Sequence, residues 1–533
     1  MIIIAGIISF FLSIFSTIVL SYISMATGIG PWIAPTLVLI AMPLFKLLVR
    51  DERLTERVGL VTAAGSVGGI LATGMGFSLP TLYFVDPDLF NSWMASPAYF
   101  VAMLGLLAFA AGAFGLLIAN ILEQRFVYQE NLSFPVGQLV YKMIAVQDHA
   151  KKAWDLLIGF VATAVFCILQ DGIFAFKGFL PKAITLMPKI NLRIFHIPAI
   201  RLDIWPLVFA IGFVTGHMIA IPLAVGAFSK ICIVDPINTV FFASMPNFEF
   251  ILSFCSGMVV SGTLASFLDA PKLLYKTIKK LLSGGTQQFR VNGTGLSQRH
   301  VIELAVVVTG LIAYLWVLGF SVWAQAYVLI FTAMCTYEIA MQAGKMGLAR
   351  LGSFATFVML PAMFLFDLSV VNIVLIAAFV EICGGVAADI LFGRKLAKEA
   401  GISSSTMELY QWFGLLISSL AVGIIFWLLI SRFTLGSPEL FALKAQNRQL
   451  LIEASNFNVY VMALGFLFGF LLKELKVAPS LVLGGILMPL NISLGLITGG
   501  LMTLFTKNKE AWYPLWSGVF AANSLWMLIK AII

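Results

Sequence analysis

The sequence predicts an all-α polytopic membrane protein of about sixteen transmembrane helices in two eight-helix halves, with a short amphipathic or re-entrant helix near 134–146. Three observations carry that expectation. Hydrophobic residues make up 60% of the 533 and charged residues 11%, with a mean hydropathy of +1.00, far from the roughly 25% charged content of soluble domains. Apolar stretches of about 17 to 25 residues, each long enough to cross a hydrocarbon core of about 30 Å as a helix, follow one another from Ile2 to Ile532. The most hydrophilic stretch, 269–300, divides them into two sets.

The first stretch, MIIIAGIISFFLSIFSTIVL, has no charged n-region and no small-residue cleavage site, so it reads as a retained span over 2–24. Further spans are expected at 32–49, 58–84, 93–122, 153–176, 204–218, 219–234 and 248–268, and 204–234 reads equally as one long broken helix. The second set lies at 301–322, 326–342, 350–366, 369–394, 408–431, 456–472, 477–505 and 512–532. Helices are required because open strands leave backbone groups unsatisfied in lipid. An even number of spans places both termini on one side, and roughly two-thirds of the Lys and Arg fall there, which assigns that side to the cytoplasm of a cell membrane.

The chain is expected to divide into a first membrane half (1–268), a basic cytoplasmic linker (269–300) and a second membrane half (301–533). Short matches in shared order support a parallel repeat. GFSLPTLYF at 76–84 pairs with TFVMLPAMFLF at 356–366, IANIL at 118–122 with AADIL at 387–391, and GFVTG at 212–216 with GFLFG at 465–469. The last pair is followed in each half by a Pro- and Gly-rich span, IPLAVGAF and APSLVLGGIL. The net charge of +8 fits this topology and anionic lipid rather than nucleic acid. The five cysteines lie in apolar runs with no metal-ligand spacing and read as core residues.

Ionisable groups within apolar spans mark candidate sites because each costs a few kcal/mol, about 2.5 to 3.5 for Asp, at the bilayer centre. Glu381 lies twelve residues into its span, about 18 Å along the axis and so near the midplane. Gly385 and Asp389 follow on the same face. Asp389 sits beside Arg394 and Lys395 and reads first as an interfacial ion pair. Glu338 heads a stripe with Gln342 and Lys345, which reads as an internal Glu338–Lys345 pair, as a turn that ends the helix there, or as a coupling site. His217 precedes a break and reads either as a candidate proton-exchanging group, as imidazoles are near neutral pH, or as a lone satisfied histidine, and Asp171, near a span end, reads as an anchor. Gly65, Gly68 and Gly69 in the third span, and Gly384 and Gly385 in the twelfth, permit either close helix packing or an unwound stretch lining a path.

Several chemistries lack their motifs. AGKMG at 343–347 misses the Ser or Thr that follows Lys in a P-loop, and neither HExxH nor GxSxG occurs. Glu381 and Asp389 stand about 12 Å apart along one helix, too far to share a proton or flank one bond. No cofactor is called for. A membrane-embedded enzyme on a lipid-linked substrate, and a passive channel, stay as alternatives to a secondary transporter.

In NLSFPVGQLVYKMI at 131–144, Val136, Leu139, Val140, Met143 and Ile144 form an apolar helical stripe after the start signals Ser133 and Pro135. This segment resembles the aromatic-Pro-x-Gly segment of the oligopeptide transporter (OPT) family, which includes the yellow-stripe-like branch. SYISMATG at 21–28, TAAGSVGGILATGMGFSLPTLYF at 62–84 and CGGVAADIL at 383–391 are similar to further segments of that family. Ser66-Val67 stands where many prokaryotic members carry an acidic residue, VGQL at 136–139 departs from the commoner forms, and the peptide-branch signature NPGPF is absent. The resemblance implies proton-coupled uptake of small oligopeptides or metal chelates across a lipid bilayer. It also favours a re-entrant element whose Pro135, Gly137 and Gln138 line the path; Glu381 and Glu338, singled out as charges within apolar spans, are the candidates for coupling or substrate-amine contact.

Overall fold

The computed structural model describes residues 2–28, 30–48, 54–145, 149–173, 176–188, 190–191, 196–197, 200–258, 260–261, 298–347, 349, 351–454, 458–506 and 509–532. Most of the expected linker, 269–297, therefore lies outside the described residues. In chain order the helices are α1 (Ile2–Thr27), α2 (Ala34–Leu48), α3 (Leu54–Ser78), α4 (Pro80–Val85), α5 (Pro87–Met94), α6 (Pro97–Glu123), α7 (Pro135–Ala145), α8 (His149–Asp171), α9 (Pro206–Thr215), α10 (His217–Ser229) and α11 (Asp235–Phe241). They continue with α12 (247–258), α13 (Gln298–Val317), α14 (Val322–Met346), α15 (Leu351–Leu365), α16 (Val370–Ala400), α17 (Ser404–Arg432), α18 (Leu443–Ile452), α19 (Val459–Glu474), α20 (Pro479–Leu487), α21 (Leu490–Phe505) and α22 (Lys509–Ile532). Eight helical stretches among the described residues are long and apolar enough to cross a membrane, and shorter apolar helices lie between them. Polytopic helical membrane architecture follows; the full count of about sixteen does not.

The chain forms two compact units, each drawn from both sequence halves: Met1–His149 with Ser266–Arg432, and Ala150–Ala265 with Phe433–Ile533. This partition cuts across the halves read from hydropathy. The first unit is built around α3 and α16. Every residue of α3 from Val58 to Ser78 is buried, as is every residue of α16 from Asn372 to Ala397, the condition of a helix enclosed by other helices on all faces. Polar caps set the ends of the long helices. Ser369 accepts from Asn372 N to start α16 and left-handed Gly401 (φ 69°) ends it, while Ser321 and Gly347 (φ 71°) do the same for α14. Both helices consequently run past the ends that hydropathy suggests.

In the second unit the stretch 204–234, expected as two spans or one long broken helix, breaks at Gly216 (φ 76°) between α9 and α10, and α10 runs on helically through Lys230–Val234 into α11 as a stretch long enough to cross a membrane. Glycines bring these onto the other broken span: a Cβ on Gly226 would meet Val482 O, and one on Gly499 would meet Phe209 O. The Pro- and Gly-rich segments paired by sequence, in α10 and α20, thus pack face to face. Asp171 does serve as an anchor, accepting from Trp526 Nε1 at 3.0 Å and pairing with Lys182 at 2.9 Å. Among the described residues between 172 and 203, three short antiparallel ribbons form, the largest pairing Ala183 with Asp203 and Ile184 with Leu202.

Candidate functional site

The site grows from what α3 lacks. Its glycines remove side chains where neighbouring backbones approach, and its hydroxyls need partners because lipid and packed helices offer no water. On one side, Ser13 Oγ of α1 donates to Ala64 O (3.3 Å) and Ser16 Oγ donates to Gly65 O. Gly68 lies against Ser13 O, Thr17 and Ser418, Gly65 against Leu12 and Leu37, and Gly69 against Ile33. These three glycines belong to an unbroken helix, so the unwound reading of the third span gives way to close packing. On the other side, a Cβ on Gly74 would stand 2.9 Å from Ile382 N. That approach brings the α16 backbone alongside α3 and sets the two buried carboxylates of α16, Glu381 and Asp389, opposite α3 hydroxyls.

Ser78 Oγ donates to Glu381 Oε2, and Ser66 Oγ donates to Asp389 Oδ2 at 2.7 Å. Glu381 is 0% exposed and Asp389 3%. The expected ion pair of Asp389 with Arg394 or Lys395 is not formed. At about 100° per residue, Arg394 and Lys395 lie some 140° and 120° around the helix from Asp389, on other faces. Arg394 instead meets Glu123 (3.4 Å), Glu408 (3.9 Å), Asn120 Oδ1 (2.9 Å) and Ser404 O (2.6 Å), while Lys395 pairs with Glu399 (3.3 Å).

Helix α7 forms where the stripe and start signals place it, and it packs among α2, α3, α14 and α16. The loop before it is pinned at several points. Lys395 Nζ and Lys398 Nζ both donate to Asn131 Oδ1 at 3.0 Å, and Phe134 N donates to Gly344 O at 2.7 Å. Asn131 and Phe134 hold φ of 46° and 43°, a backbone region disfavoured for residues with a Cβ. Trp32 Nε1 donates to Gly347 O at 2.9 Å, and the Trp32 and Phe134 rings both meet Phe392 edge-on. Pro135 packs against Gly347, and Gly137 is set directly on Phe392 O. Between α7, α2, α3 and α16 lies a small cavity with room for about one water, lined by Asp389, Ser66, Thr62, Gly137 and apolar neighbours.

The OPT oligopeptide transporter protein family, compared as a family model, matches residues 3–279, just over half of the chain. The chain belongs to that family. No curated protein matches it closely enough to be named as a relative. The OPT match takes in α1 to α12, hence Thr62, Ser66 and Gly137, while Glu381 and Asp389 on α16 lie beyond it.

Other candidates are dispersed. Glu338 is 2% exposed within α14, whereas Lys345 at its end is exposed, with Nζ 3.4 Å from Met341 Sδ. Gln342 is half-buried, its Oε1 enclosed without a hydrogen-bond partner. Gly384 packs on Ile339, Gly385 on Ile70 and Leu351, and Gln138 is half-buried. His217 is exposed in the second unit. Ser78, Asn131 and Trp32 carry hydrogen bonds that the sequence reading did not assign, and Thr62 lines the cavity. The available signal was the density of Ser and Thr in otherwise apolar spans, since each hydroxyl in a membrane interior needs an acceptor.

Proposed function

We propose that this OPT-family chain is a secondary active transporter that takes up small oligopeptides or metal-chelate complexes by proton symport. The observation that carries the reading is the pair of buried carboxylates on α16, each held by a serine hydroxyl of α3. An ionised carboxylate in a packed membrane interior is costly, and protonation removes the charge. A helix carrying such groups changes its preferred environment with proton occupancy, which is the requirement for coupling an ion gradient to alternating access. The reading includes a cell (inner or plasma) membrane location with both termini cytoplasmic. It also includes about sixteen crossings, counting short and broken helices beside the eight long ones.

The test is uptake by proteoliposomes holding the purified chain, offered labelled small peptides and ferric or nickel chelates with and without an imposed pH gradient. Accumulation against the substrate gradient, dependent on the pH gradient and lost in Glu381→Gln, is expected. Recovery of a chemically altered substrate would indicate an enzyme, and equilibration without accumulation a channel; either result defeats the proposal.

A further inference from the structure

We propose that Asp389 is a protonation site with its own bound water, which Ser66 and Thr62 help to hold and the first turn of α7 covers. This deepens the proton-symport reading and rests on it. The starting observation is Thr62. Its side chain is 1% exposed, its Oγ1 has no hydrogen-bond partner, and it lines the same cavity as Asp389. A hydroxyl buried without a partner is costly, so such a group calls for one. A buried water typically makes about three hydrogen bonds, and Asp389, Ser66 and Thr62 supply polar atoms around a space of about that size. Ser66 donates to Asp389, and its oxygen retains lone pairs for a second donor.

The same donor set argues against a divalent cation. Ca²⁺ and Mg²⁺ take about six or more oxygens, and the remaining lining is Ala, Val, Phe and Leu carbon with the helix backbone. A proton needs only the carboxylate and an acceptor chain. Charged groups elsewhere on the packed helices do not line the cavity. Glu56 and Arg57 are at the start of α3, Lys46 at the end of α2, Tyr141 on α7, and α15 carries none. Glu123 on α6 and Glu408 on α17 engage Arg394. Glu338 and Lys345 lie on α14, and Glu381 lies two turns away on α16 itself.

The cover follows from Gly137. A Cβ there would stand 2.5 Å from Phe392 O and 3.3 Å from Lys395 Cβ, so glycine lets α7 rest directly on α16 beside Asp389. Val136 and Val140 complete the apolar roof. Asn131, gripped by Lys395 and Lys398, ties the loop entering α7 to the same helix that carries the acid.

Infrared difference spectra of the purified full-length chain in lipid nanodiscs, taken between acid and alkaline buffer in H2O and in D2O, read the site without a substrate. A protonated-carboxyl C=O band is expected that disappears in Asp389→Asn and remains in Glu381→Gln. Asparagine keeps an acceptor for Ser66, and size-exclusion profiles establish that the variant is folded; if it is not, Ser66→Ala must shift the same band. Thr62→Val should retain the band and move it toward the frequency of a carboxyl without a water partner. A band unchanged in Asp389→Asn, or identical in Thr62→Val and the parent, overturns the proposal. If the band behaves as expected while uptake ignores the pH gradient, the site stands and the symport reading falls.

Discussion

Replacing Arg394 by Met should be the most damaging single change in the first unit outside the α3–α16 seam. The guanidinium is 1% exposed and faces Glu123 and Glu408, whose side chains are 12% and 7% exposed. It also donates to Asn120 Oδ1 at 2.9 Å and to Ser404 O and Oγ, each at 2.6 Å. Methionine fills much of the volume but leaves two carboxylates without their cation, and removing one partner of a buried ion pair costs about 3–5 kcal/mol. Glu408→Gln alone should be mild, because the amide can still accept from Asn120 Nδ2, now 2.9 Å from Glu408 Oε1, and Glu123 still faces Arg394. In the Arg394→Met background the same Gln should recover about 0.5–3 kcal/mol, the range of coupling between contacting charges. Unfolding titrations in mixed micelles, run as a double-mutant cycle, give these values. Additive effects, or an Arg394→Met variant within about 0.5 kcal/mol of the parent, would refute a network that acts as one unit.

Gly74→Ala should destabilise by about 1–3 kcal/mol, since its methyl would meet Ile382 N at 2.9 Å and Glu381 C at 3.1 Å, both backbone. Gly6→Ala in α1, with nothing within 4 Å of the new Cβ, is the matching control and should be neutral or stabilising in the same titration. Asn131→Gly should lose the shared acceptor of Lys395 and Lys398 while keeping the left-handed backbone, and Asn131→Ala should lose both, by about a further 1–2 kcal/mol. Thermal melts therefore rank the parent first, Gly second and Ala last; the opposite order of Gly and Ala would remove backbone strain from the account. Gly137→Ala should lift α7 from Phe392 O and speed labelling of a cysteine placed at Val136, and unchanged labelling would mean that α7 is not a cover.

Hydropathy and start signals made α7 and the long helices legible, because both are local properties of the chain: Ser133, Pro135 and a stripe repeating every three or four residues require no knowledge of partners. Glu381 and Asp389 stood out for the same reason, as charges in an apolar run. Their partners did not, because Ser66 and Asp389 are 323 positions apart and Ser78 and Glu381 303, and a serine in a membrane helix reads as a small residue until its acceptor is known. The interleaving of the sequence halves in two units was hidden likewise, since hydropathy marks where helices are and not which helices meet. The misreading of Asp389 is of another kind. Adjacency in sequence suggested Arg394 and Lys395 as its partners, yet offsets of five and six residues turn a side chain onto another face of a helix, whereas three and four keep it near the same one. Applied at that position, the angular rule leaves Asp389 without a cation on its own face and sends Arg394 toward other helices, where Glu123 and Glu408 meet it. Asp389 accordingly stands apart from the ion pairs that Arg394 makes with Glu123 and Glu408 and Lys395 with Glu399.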